Sequence, residues 1–372
     1  MKNKLSVLHI TEDNSETNYG ITTVVNDLNT KLVNAKVNTN VISPYVNSND
    51  QYTIYTKPTL QVKPIWKHSV ELKKYLLNSE KTISHIHGVW MYPQYIASKI
   101  AFEKNIPSII TPHGMLEPWL WENGTLKKKM YFNMMIKKYF SNANVLHAIT
   151  PNEKENLYKL FGHQNIEVIP NSISYKEVDS YNIIKKSQEK YILFLGRIHP
   201  KKGIDLLIKA FAGLSAKNVK LKIAGPINQY KNELDILIKS LNIKNKVEFL
   251  GIISGQEKYQ VYKDAWVFVA PSFSEVVGMV NLEAGVLETP VITTYQTGLY
   301  SEWNNNGGIL INPNVNELTK SLKIVISWSD DERNDRGKKL KQFIIDNYSW
   351  EKNIYKWIDL YSGLENAKIK QI

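Results

Sequence analysis

The chain has 372 residues, a hydrophobic content of 43% and no cysteine. The length predicts two domains rather than one core, and the lack of cysteine excludes disulfides and thiol catalysis and fits a reducing cytoplasm. The net charge of +12, carried almost entirely by lysine, favours an anionic partner: a phosphorylated substrate, nucleic acid or an anionic membrane surface.

Strand-like and helix-like stretches alternate along both halves of the chain. The strand candidates are LSVLHI, TNVISP, ISHIHG, PSIITPHG and VLHAITP in the first half, and YILFLGR, VKLKIAGP, KVEFLG, AWVFVAP, PVITT and GGILI in the second. Amphipathic stretches such as TTVVNDLNTKLV, IDLLIKAFAGL and ELDILIKSLNI lie between them. This alternation predicts an α/β fold with two Rossmann-like domains, whose parallel sheets face a cleft and bind ligands beyond the carboxyl ends of their strands.

Composition also predicts where the domains end. The polar run at residues 175–190 is typical of a linker, so we predict one domain over residues 1–178 and a second over 188–348. Residues 349–372 are amphipathic and rich in aromatic side chains, which favours a last helix that packs back on the first domain. The first apolar run, Leu5 to Ile10, is too short for a signal peptide, and no stretch reaches the roughly 20 apolar residues of a membrane span.

A basic loop with two glycines follows the first strand candidate of the second half, in FLGRIHPKKGIDLL. Gly196 and Gly203 allow the backbone to turn and approach a ligand, while Arg197, Lys201 and Lys202 bring cations to the start of a helix. The chain has only three arginines, so an arginine in this loop is informative. The loop predicts a diphosphate site, with a solvated basic loop as the alternative; the P-loop pattern GxxxxGK[ST] is absent.

Two carboxylates with a glycine between them mark SFSEVVGMVNLEAGVLETPVITT, residues 272–294. Gly278 precedes a predicted helix whose first N–H groups can bind a phosphate, those of Met279, Val280 and Asn281. Carboxylates repel phosphate but accept hydrogen bonds from vicinal hydroxyls, so Glu275 and Glu283 predict two polyol groups beside the phosphate. This combination describes a nucleotide sugar. A capping role for Glu275 and a surface position for Glu283 are the alternatives.

These stretches resemble a known family. PSFSEVVGMVNLEAGVLETPVITT is similar to the E-x7-E signature of retaining glycosyltransferases of family 4, which have the two-domain GT-B fold. FLGRIHPKKGIDLLIKAF, IAGP, VEFLGII and IPNSI match further stretches of the family pattern in order, as do HIHGVW, TPHGML and AITPNEKENL in the first half. The resemblance implies an acceptor-binding first domain and a nucleotide-sugar-binding second domain.

The resemblance also implies roles for the residues that match. Arg197 and Lys202 would hold the diphosphate, Glu283 the ribose hydroxyls, and Glu275 the hydroxyls of the transferred sugar. His113 would face the anomeric region, with a packed histidine as the alternative. His85 and His87 are more typical of strand-end structure. The remaining implied donor contacts are Gly20, Gly196, Gly251, Ile252, Gly278, Met279 and Val280.

Three positions depart from the family pattern. Tyr19 precedes Gly20 where the family has two glycines, Ser172 replaces the glycine of a PNG turn, and Val276 stands in the EGFG segment. The last change concerns the identity of the donor sugar. The sequence has no D-x-D motif and no evident Cys/His cluster, so we predict a reaction without metal or cofactor. The acceptor hydroxyl would attack the face from which the diphosphate leaves, and the diphosphate would take its proton.

Lysines and aromatic residues mix in HGMLEPWLWENGTLKKKMYFNMMIKKYF, residues 113–140. This mixture is typical of an anionic membrane interface. HGMLEPW resembles the family branch that builds bacterial surface polysaccharides on polyprenyl-diphosphate-linked acceptors. We therefore predict peripheral attachment to the inner face of the cytoplasmic membrane, with an ordinary soluble helix as the alternative. The residues assigned to this surface are Trp119, Trp121, Lys127, Lys128, Lys129, Lys137 and Lys138.

The complete prediction is a retaining enzyme that moves a sugar from a nucleotide-diphosphate sugar to a lipid-linked glycan. A UDP-sugar is the first choice of donor and GDP-mannose the second, in the synthesis of O-antigen, capsule or exopolysaccharide. A nucleotide-sugar 2-epimerase of the same fold and a non-catalytic nucleotide-sugar-binding protein are the alternatives. No nucleic-acid partner is expected, because the lysines are spread over both halves and no groove-reading motif is present.

Overall fold

The computed structural model describes residues 5–15, 20–45, 51–59, 65–80, 83–118, 125–162, 165–187, 189–214 and 218–369. Its contacts divide the chain into two units. The first contains Met1–Asn171 and Asn353–Ile372, and the second contains Ser172–Lys352. Each unit is built around its own parallel sheet.

The first unit has a seven-stranded sheet in the described part of the chain, in the order β3-β2-β1-β4-β5-β6-β7. The strands are β1 (Ser6–Ile10), β2 (Asn38–Ser43), β3 (Thr53–Tyr55), β4 (Ile83–His87), β5 (Ser108–Thr111), β6 (Val145–Ala148) and β7 (Ile166–Val168). The helices are α1 (Ile21–Asn34), α2 (Val70–Asn78), α3 (Tyr92–Glu103), α4 (Thr125–Tyr131), α5 (Lys137–Phe140) and α6 (Pro151–Phe161), with a π-helical segment, Phe132–Ile136, between α4 and α5.

The second unit has a six-stranded sheet among its described residues, in the order β10-β9-β8-β11-β12-β13. The strands are β8 (Lys190–Leu195), β9 (Val219–Ala224), β10 (Val247–Gly251), β11 (Val267–Ala270), β12 (Val291–Thr294) and β13 (Ile309–Ile311). The helices from here to the end are α7 (Tyr175–Ser180), α8 (Ile204–Ala212), α9 (Tyr230–Ser240), α10 (Gly255–Asp264), α11 (Met279–Val286), α12 (Val315–Ser327), α13 (Asp330–Tyr348) and α14 (Trp350–Ile369).

Burial on both faces explains why these strands are so apolar. In the second unit, Ile192 and Leu221 pack in one cluster with Leu207 of α8 and Leu322 of α12. The pairings between the described strands of both sheets are parallel, as expected where helices cover both faces of a sheet. The predicted α/β class with two Rossmann-like sheets is confirmed. Among the described residues, no helix has the length and apolar character needed to cross a bilayer.

The segment assigned to a linker carries regular structure at its start. Residues 175–180 form α7, and the division between units falls before it, between Asn171 and Ser172. Backbone pairing explains this position: Ile173 donates its N–H to the carbonyl of Tyr348 at 2.8 Å and accepts from Trp350 at 3.2 Å. These two bonds tie the start of the second unit to the end of α13.

Strand order determines where the loops of the second unit meet. β8 and β11 are neighbours, and the strands that follow each of them in the chain, β9 and β12, lie on opposite sides of this pair. The switch point of the sheet is therefore between β8 and β11. The loop after β8 ends at Gly203, whose φ is +66°, and a Cβ there would lie 2.2 Å from the carbonyl oxygen of Pro271 in the loop after β11. Phe273 also donates its N–H to the carbonyl of Lys201 at 2.9 Å. The two loops are therefore joined backbone to backbone.

We expect Gly203→Ala to destabilise the second unit by about 3 kcal/mol or more, because a left-handed φ and an overpacked backbone contact each cost on the order of 1–3 kcal/mol. Gly255→Ala is the matched control, since Gly255 has a φ of +56° with no atom within 4 Å of the added Cβ. The control should lose only about 1 kcal/mol. Urea unfolding of both variants measures the difference, and equal losses would contradict the close contact.

Candidate functional site

The basic loop after β8 brings two cations to the switch point of the second sheet. Arg197 is exposed and makes no hydrogen bond or ion pair with any residue that the structure describes. The other two arginines are engaged: Arg333 is buried and donates to the carbonyl of Ala265 at 2.8 Å, and Arg336 pairs with Glu332. Arg197 is thus the arginine available to an external anion.

The ion pair between Lys202 and Glu275 connects the two predicted motifs. Lys202 Nζ contacts Glu275 Oε2, and both side chains are largely buried, with 16% and 24% of their surface exposed. The pair follows from the joined loops, because Lys202 precedes Gly203 and Glu275 lies beyond Pro271. A cation assigned to phosphate and a carboxylate assigned to hydroxyls therefore lie side by side.

The turn that carries Glu275 is strained. Val277 is buried with a φ of +63°, an outlier for a β-branched residue. Its N–H donates to the carbonyl of Thr297 at 2.7 Å, and its own carbonyl accepts from Asn281 Nδ2 at 2.9 Å. Gly278 also has a φ of +63°, and a Cβ there would lie 2.9 Å from Asn281 Nδ2 and 3.0 Å from Glu275 Cγ. Surrounding hydrogen bonds hold the strained backbone, as is common at functional sites.

Helix α11 begins after this turn with open backbone donors. Gly278 is its N-cap and no side chain caps it, so Glu275 does not serve as the cap. The N–H groups of Met279 and Val280 have no acceptor among the described residues, as expected for a first helical turn. These donors lie on the same segment as Glu275, which places predicted phosphate and hydroxyl contacts together.

Glu283 is held by two side chains of α10. Lys258 Nζ lies 2.9 Å from Oε1, and Tyr262 donates its hydroxyl to Oε2 at 3.0 Å. Burial, and then the charge of Glu283, raises the pKa of Tyr262 well above its usual range, so this hydroxyl stays a donor. Glu283 is therefore an oriented carboxylate with unused lone pairs rather than a mobile surface acid.

Glycines at the ends of β9 and β10 complete this edge of the second sheet. A Cβ on Gly225, whose φ is +151°, would lie 1.9 Å from the carbonyl oxygen of Gly196, so the backbone after β9 touches the basic loop. Gly225 donates its N–H to Gly251 at 2.7 Å. Gly251 has a φ of +71° with open space at its Cβ, and Ile252 beyond it is 76% exposed. Gly251 and Ile252 stay predicted donor contacts.

In the first unit, His113 follows β5 in a strained conformation of its own. Its φ is +55° and its side chain is half-buried. The next residue, Gly114, donates its N–H to Glu153 Oε1 at 2.6 Å, and Ile149 donates to Oε2 at 2.8 Å. Glu153 is buried at the start of α6, and burial raises its pKa to about 7. Glu153 thereby fastens the His113 loop to β6.

Gly20 is the other predicted site residue of the first unit. It is the N-cap of α1, with a φ of +109°, and its carbonyl accepts from Val24 at 3.1 Å. Nothing lies within 4 Å of an added Cβ, so the backbone is open on that side. Tyr19, Trp119 and Trp121 lie outside the described residues.

Histidines line one face of the first sheet. His9 on β1 and His85 on β4 are paired in register, and His87 lies two residues further along β4 on the same face. His147 on β6 joins them through Thr111 of β5, whose Oγ1 lies 2.8 Å from His85 Nε2 and 2.9 Å from His147 Nδ1. No Cys/His cluster is evident along the sequence, because strands that are far apart in the chain bring these rings together.

Three of these histidines have the spacing of a metal-ligand group. One nitrogen from each of His9, His85 and His87 lies within 4.8 Å of the others. However, both nitrogens of His85 and His87 and Nδ1 of His9 already lie at hydrogen-bond distance from protein atoms. A metal ion would have to replace those bonds, so the geometry favours a hydrogen-bonded cluster.

The predicted acceptor surface contains exposed lysines and exposed apolar residues. Four of its lysines are exposed and Lys128 is partly so. Leu126 and Met134 are each 72% exposed and Met130 is 54% exposed. Tyr131 and Phe132 instead pack inward, since Tyr131 donates to the carbonyl of Met91 and Phe132 is buried.

Comparison with family models accounts for both units. Residues 176–366 match the model of glycosyl transferases group 1, and residues 19–177 match that of glycosyltransferase family 4. The chain belongs to the glycosyltransferase group 1 family. The family resemblance of the sequence motifs is confirmed. All predicted donor contacts of the second unit lie inside the first of these segments, and Gly20 and His113 lie inside the second.

Named relatives include glycosyltransferases of two bacteria. The chain is 27% identical to the O-antigen chain mannosyltransferase RfbU of Salmonella typhimurium, over 55% of this chain and 56% of that protein. It is 32% identical to a Campylobacter jejuni N-acetylgalactosaminyltransferase that acts on a diphospho-undecaprenol-linked glycan, over 53% of this chain and 56% of that protein. The chain therefore matches little more than half the length of these relatives.

Solved structures share the fold of this glycosyltransferase family member. Anabaena HepE, in complex with UDP and glucose, superposes with a TM-score of 0.75 at 15% identity, covering 96% of this chain and 100% of that chain. The match confirms the GT-B type of fold.

Sequence reasoning missed several supporting residues, each of which left a signal. Glu153 stands three residues after Thr150, the spacing of a capping box. Lys258 and Tyr262 have the i,i+4 spacing that places both on one helix face. His9 and His147 occupy corresponding positions in apolar strands, where period-2 alternation places them with His85.

The buried histidines predict that the fold loses stability in acid. Burial lowers the pKa of His147 from 6.5 to about 4, so the unfolded chain binds its proton first and stability falls as pH drops from 6.5 towards 4. His147→Gln removes this group while leaving a donor for the carbonyl of Ile169. We expect the slope of the free energy of unfolding against pH to decrease by about 1.4 kcal/mol per pH unit in this range. Urea unfolding at several pH values measures the slope.

Glu153→Gln is a control in which the slope of stability against pH should change in the opposite direction. The raised pKa of Glu153 stabilises the fold below 4.5, and this contribution is lost as pH rises through about 7. Removing it should therefore steepen the loss of stability on acidification between pH 7 and 4.5. Unchanged slopes in both variants would show that these groups do not titrate as their burial indicates.

Proposed function

We propose that the protein is a retaining glycosyltransferase that uses a nucleotide-diphosphate sugar as donor. The observation that carries the proposal is the Lys202–Glu275 pair. Exposed Arg197 lies on the same loop as Lys202, and the open start of α11 lies on the same segment as Glu275. Cations and free N–H groups suit a diphosphate, and the adjacent carboxylate suits hydroxyls. One ligand that satisfies both is a sugar joined to a diphosphate.

The ion pair offers a simple way to bind such a donor. Lys202 and Glu275 neutralise each other in a largely buried position. A diphosphate would take over Lys202 together with Arg197, and the sugar hydroxyls would take over Glu275. Each charged group thus exchanges one partner for another, and neither is left buried and unpaired.

Glu283 suits the ribose on the other side of the diphosphate. Its two oxygens already accept one bond each, from Lys258 and Tyr262, which holds the carboxylate in place. A carboxylate has about four acceptor positions, so two remain for a vicinal diol. His113 and Gly20 remain predicted contacts of the first unit.

For the chemical step, we propose transfer with retention of anomeric configuration and without a metal. Arg197, Lys202 and the α11 donors would stabilise the charge that develops on the leaving diphosphate, the task that a metal ion has in other enzymes. The acceptor hydroxyl would attack on the face that the diphosphate leaves, and a diphosphate oxygen would take its proton.

Relatives support the choice of donor and acceptor. A structure of similar fold binds UDP and glucose, and one relative is a mannosyltransferase, so we place UDP-sugars first and GDP-mannose second. A relative that acts on a diphospho-undecaprenol-linked glycan supports a lipid-linked acceptor. We therefore propose a role in bacterial O-antigen, capsule or exopolysaccharide synthesis, at the cytoplasmic face of the membrane.

Thermal unfolding with UDP, GDP and ADP tests the donor site. At about 100 times its dissociation constant, the correct nucleotide should add roughly 2.7 kcal/mol of stability. The double variant Arg197→Ala/Lys202→Ala should lose this gain, because it lacks both cations. Lys209→Ala is the matched control, since Lys209 pairs with Asp205 on the surface of α8 and should leave binding unchanged.

A donor panel with a lipid-linked acceptor then tests the reaction. The expected product keeps the anomeric configuration of the donor, as measured by NMR of the new linkage. An inverted product would overturn the mechanism, and epimerised free donor without transfer would favour the epimerase. Nucleotide binding with neither outcome on any donor would favour a non-catalytic binding protein.

The lysine surface of α4 and α5 is the proposed membrane contact. Exposed Leu126, Met130 and Met134 lie among its lysines, so apolar side chains and cations share one stretch of surface. An apolar group that enters the headgroup region and a cation that meets anionic lipid reinforce each other.

Flotation with phosphatidylglycerol vesicles tests this contact. Lys127→Glu/Lys129→Glu should weaken binding by about tenfold or more, because each lysine near an anionic surface contributes about 1 kcal/mol. Lys239→Glu/Lys323→Glu makes the same change in net charge on exposed positions of the second unit and should bind as the wild type does. An equal loss of vesicle binding in both variants, or vesicle binding that does not depend on salt, would contradict the proposed membrane contact.

A further inference from the structure

Three histidines of the first unit form a hydrogen-bonded chain that ends at His113. His113 Nε2 lies 3.0 Å from His87 Nδ1, and His87 Nε2 lies 3.0 Å from His9 Nδ1. The far end of the chain is closed: His9 Nε2 is buried and has no partner among the described residues. The near end is open, since His113 is half-buried and its Nδ1 bonds to no described residue.

Burial favours the neutral form of the five histidines in these hydrogen-bonded chains. Burial lowers the pKa of His9 and of His113 to about 3, and that of His147 to about 4. Burial, with repulsion from neighbouring imidazoles, also lowers the pKa of His85 and His87 well below the usual value. Each ring therefore carries one N–H, and each hydrogen bond between rings must run in one of two directions.

A second chain on the same sheet face shows how a fixed end sets this direction. His147 Nε2 lies 2.8 Å from the carbonyl of Ile169, which only accepts, so His147 carries its proton on Nε2. Thr111 must then donate to His147 Nδ1, and His85 Nε2–H must donate to Thr111. Tyr361 donates its hydroxyl to His85 Nδ1 at 2.7 Å. One carbonyl determines every proton in this chain.

The closed end at His9 sets the direction of the first chain. If His113 Nε2–H donated inward, His87 would pass its own N–H to His9, and His9 would hold a buried N–H without an acceptor. If His9 Nδ1–H donated outward, His9 Nε2 would be a buried lone pair without a donor. Buried N–H groups without partners are rarer in proteins than under-used acceptors, so the outward direction is the stable one.

We propose that His9 and His87 are positioning residues that hold His113 in the tautomer with its proton on Nδ1, so that His113 meets a ligand as a hydrogen-bond donor. An imidazole without such neighbours can carry its proton on either nitrogen, whereas this hydrogen-bonded chain keeps the proton of His113 on Nδ1. The strained backbone of His113, fastened through Gly114 and Glu153, fixes the ring at the end of the chain.

The chemistry of this donor narrows what His113 can do. An Nδ1–H can bind a hydroxyl, ring or phosphate oxygen, and it cannot accept a proton from an attacking hydroxyl. This consequence for transfer rests on the proposed function, whereas the tautomer itself is a property of the first unit.

Long-range ¹H–¹⁵N correlation spectra of the histidine-labelled full chain at pH 8 test the tautomers directly. We expect Nδ1–H for His9, His87 and His113 and Nε2–H for His85 and His147, with the last two as internal references. Nε2–H at His113 would overturn the proposal whatever the enzyme assays show. Shifts of the His9, His85 and His87 signals on adding zinc, or on removing metal with a chelator, would also overturn it by placing His9 and His87 on a metal.

Two variants of His87 connect the tautomer with activity. Asparagine can keep a donor where His87 has Nδ1–H, so His87→Asn should retain the Nδ1–H signal of His113. His87→Leu removes the donor, so we expect the proton of His113 to shift towards Nε2. We also expect kcat to fall about tenfold more than in His87→Asn, because one hydrogen bond to the ligand is lost. Equal losses in both variants, with the His113 signal unchanged, would show a purely structural role for His87. If no donor is turned over at all, the proposed function fails while the tautomer result stands.

Discussion

The second unit depends on one backbone contact, in which Gly203 meets the carbonyl of Pro271 with no room for a side chain. The contact joins the loops after β8 and β11, which leave neighbouring strands at the switch point of the sheet. Because these loops are joined, Lys202 reaches Glu275, and the start of α11 lies on the same segment. Cations, open N–H groups and a carboxylate therefore converge there.

Strain appears in both units at or beside predicted site residues. Val277 in the second unit and His113 in the first have left-handed backbones that their side chains disfavour. In each case hydrogen bonds from a neighbouring element hold the conformation: Thr297 accepts from Val277, and Glu153 accepts from the residue after His113. The rest of each unit thus stabilises a local geometry that costs free energy by itself.

The first unit buries the imidazoles of His9, His85, His87 and His147 on one sheet face. Parallel pairing stacks His9 beside His85, while Trp357 and Tyr361 of α14 pack over His85 from above. In this buried position, protonation of the imidazoles is unfavourable and every N–H needs an acceptor. The face is therefore a network in which each proton position depends on its neighbours.

The sequence alone predicted much of this protein. Alternating apolar and amphipathic stretches predicted two parallel α/β sheets, because burial on both faces demands apolar strands. The E-x7-E stretch and the basic glycine loop predicted the family, because the residues of each motif lie close together in the chain. Local patterns of this kind are short in range and can be read along the chain.

What only the tertiary structure decided involves residues far apart in the chain. No local pattern shows that Lys202 pairs with Glu275, that Tyr262 orients Glu283, or that Glu153 fastens the His113 loop. The histidine chains arise from four strands and the last helix, so their order depends on strand register and sheet order. Contacts between distant segments follow from how the sheet orders its strands, and that order is a property of the folded chain as a whole.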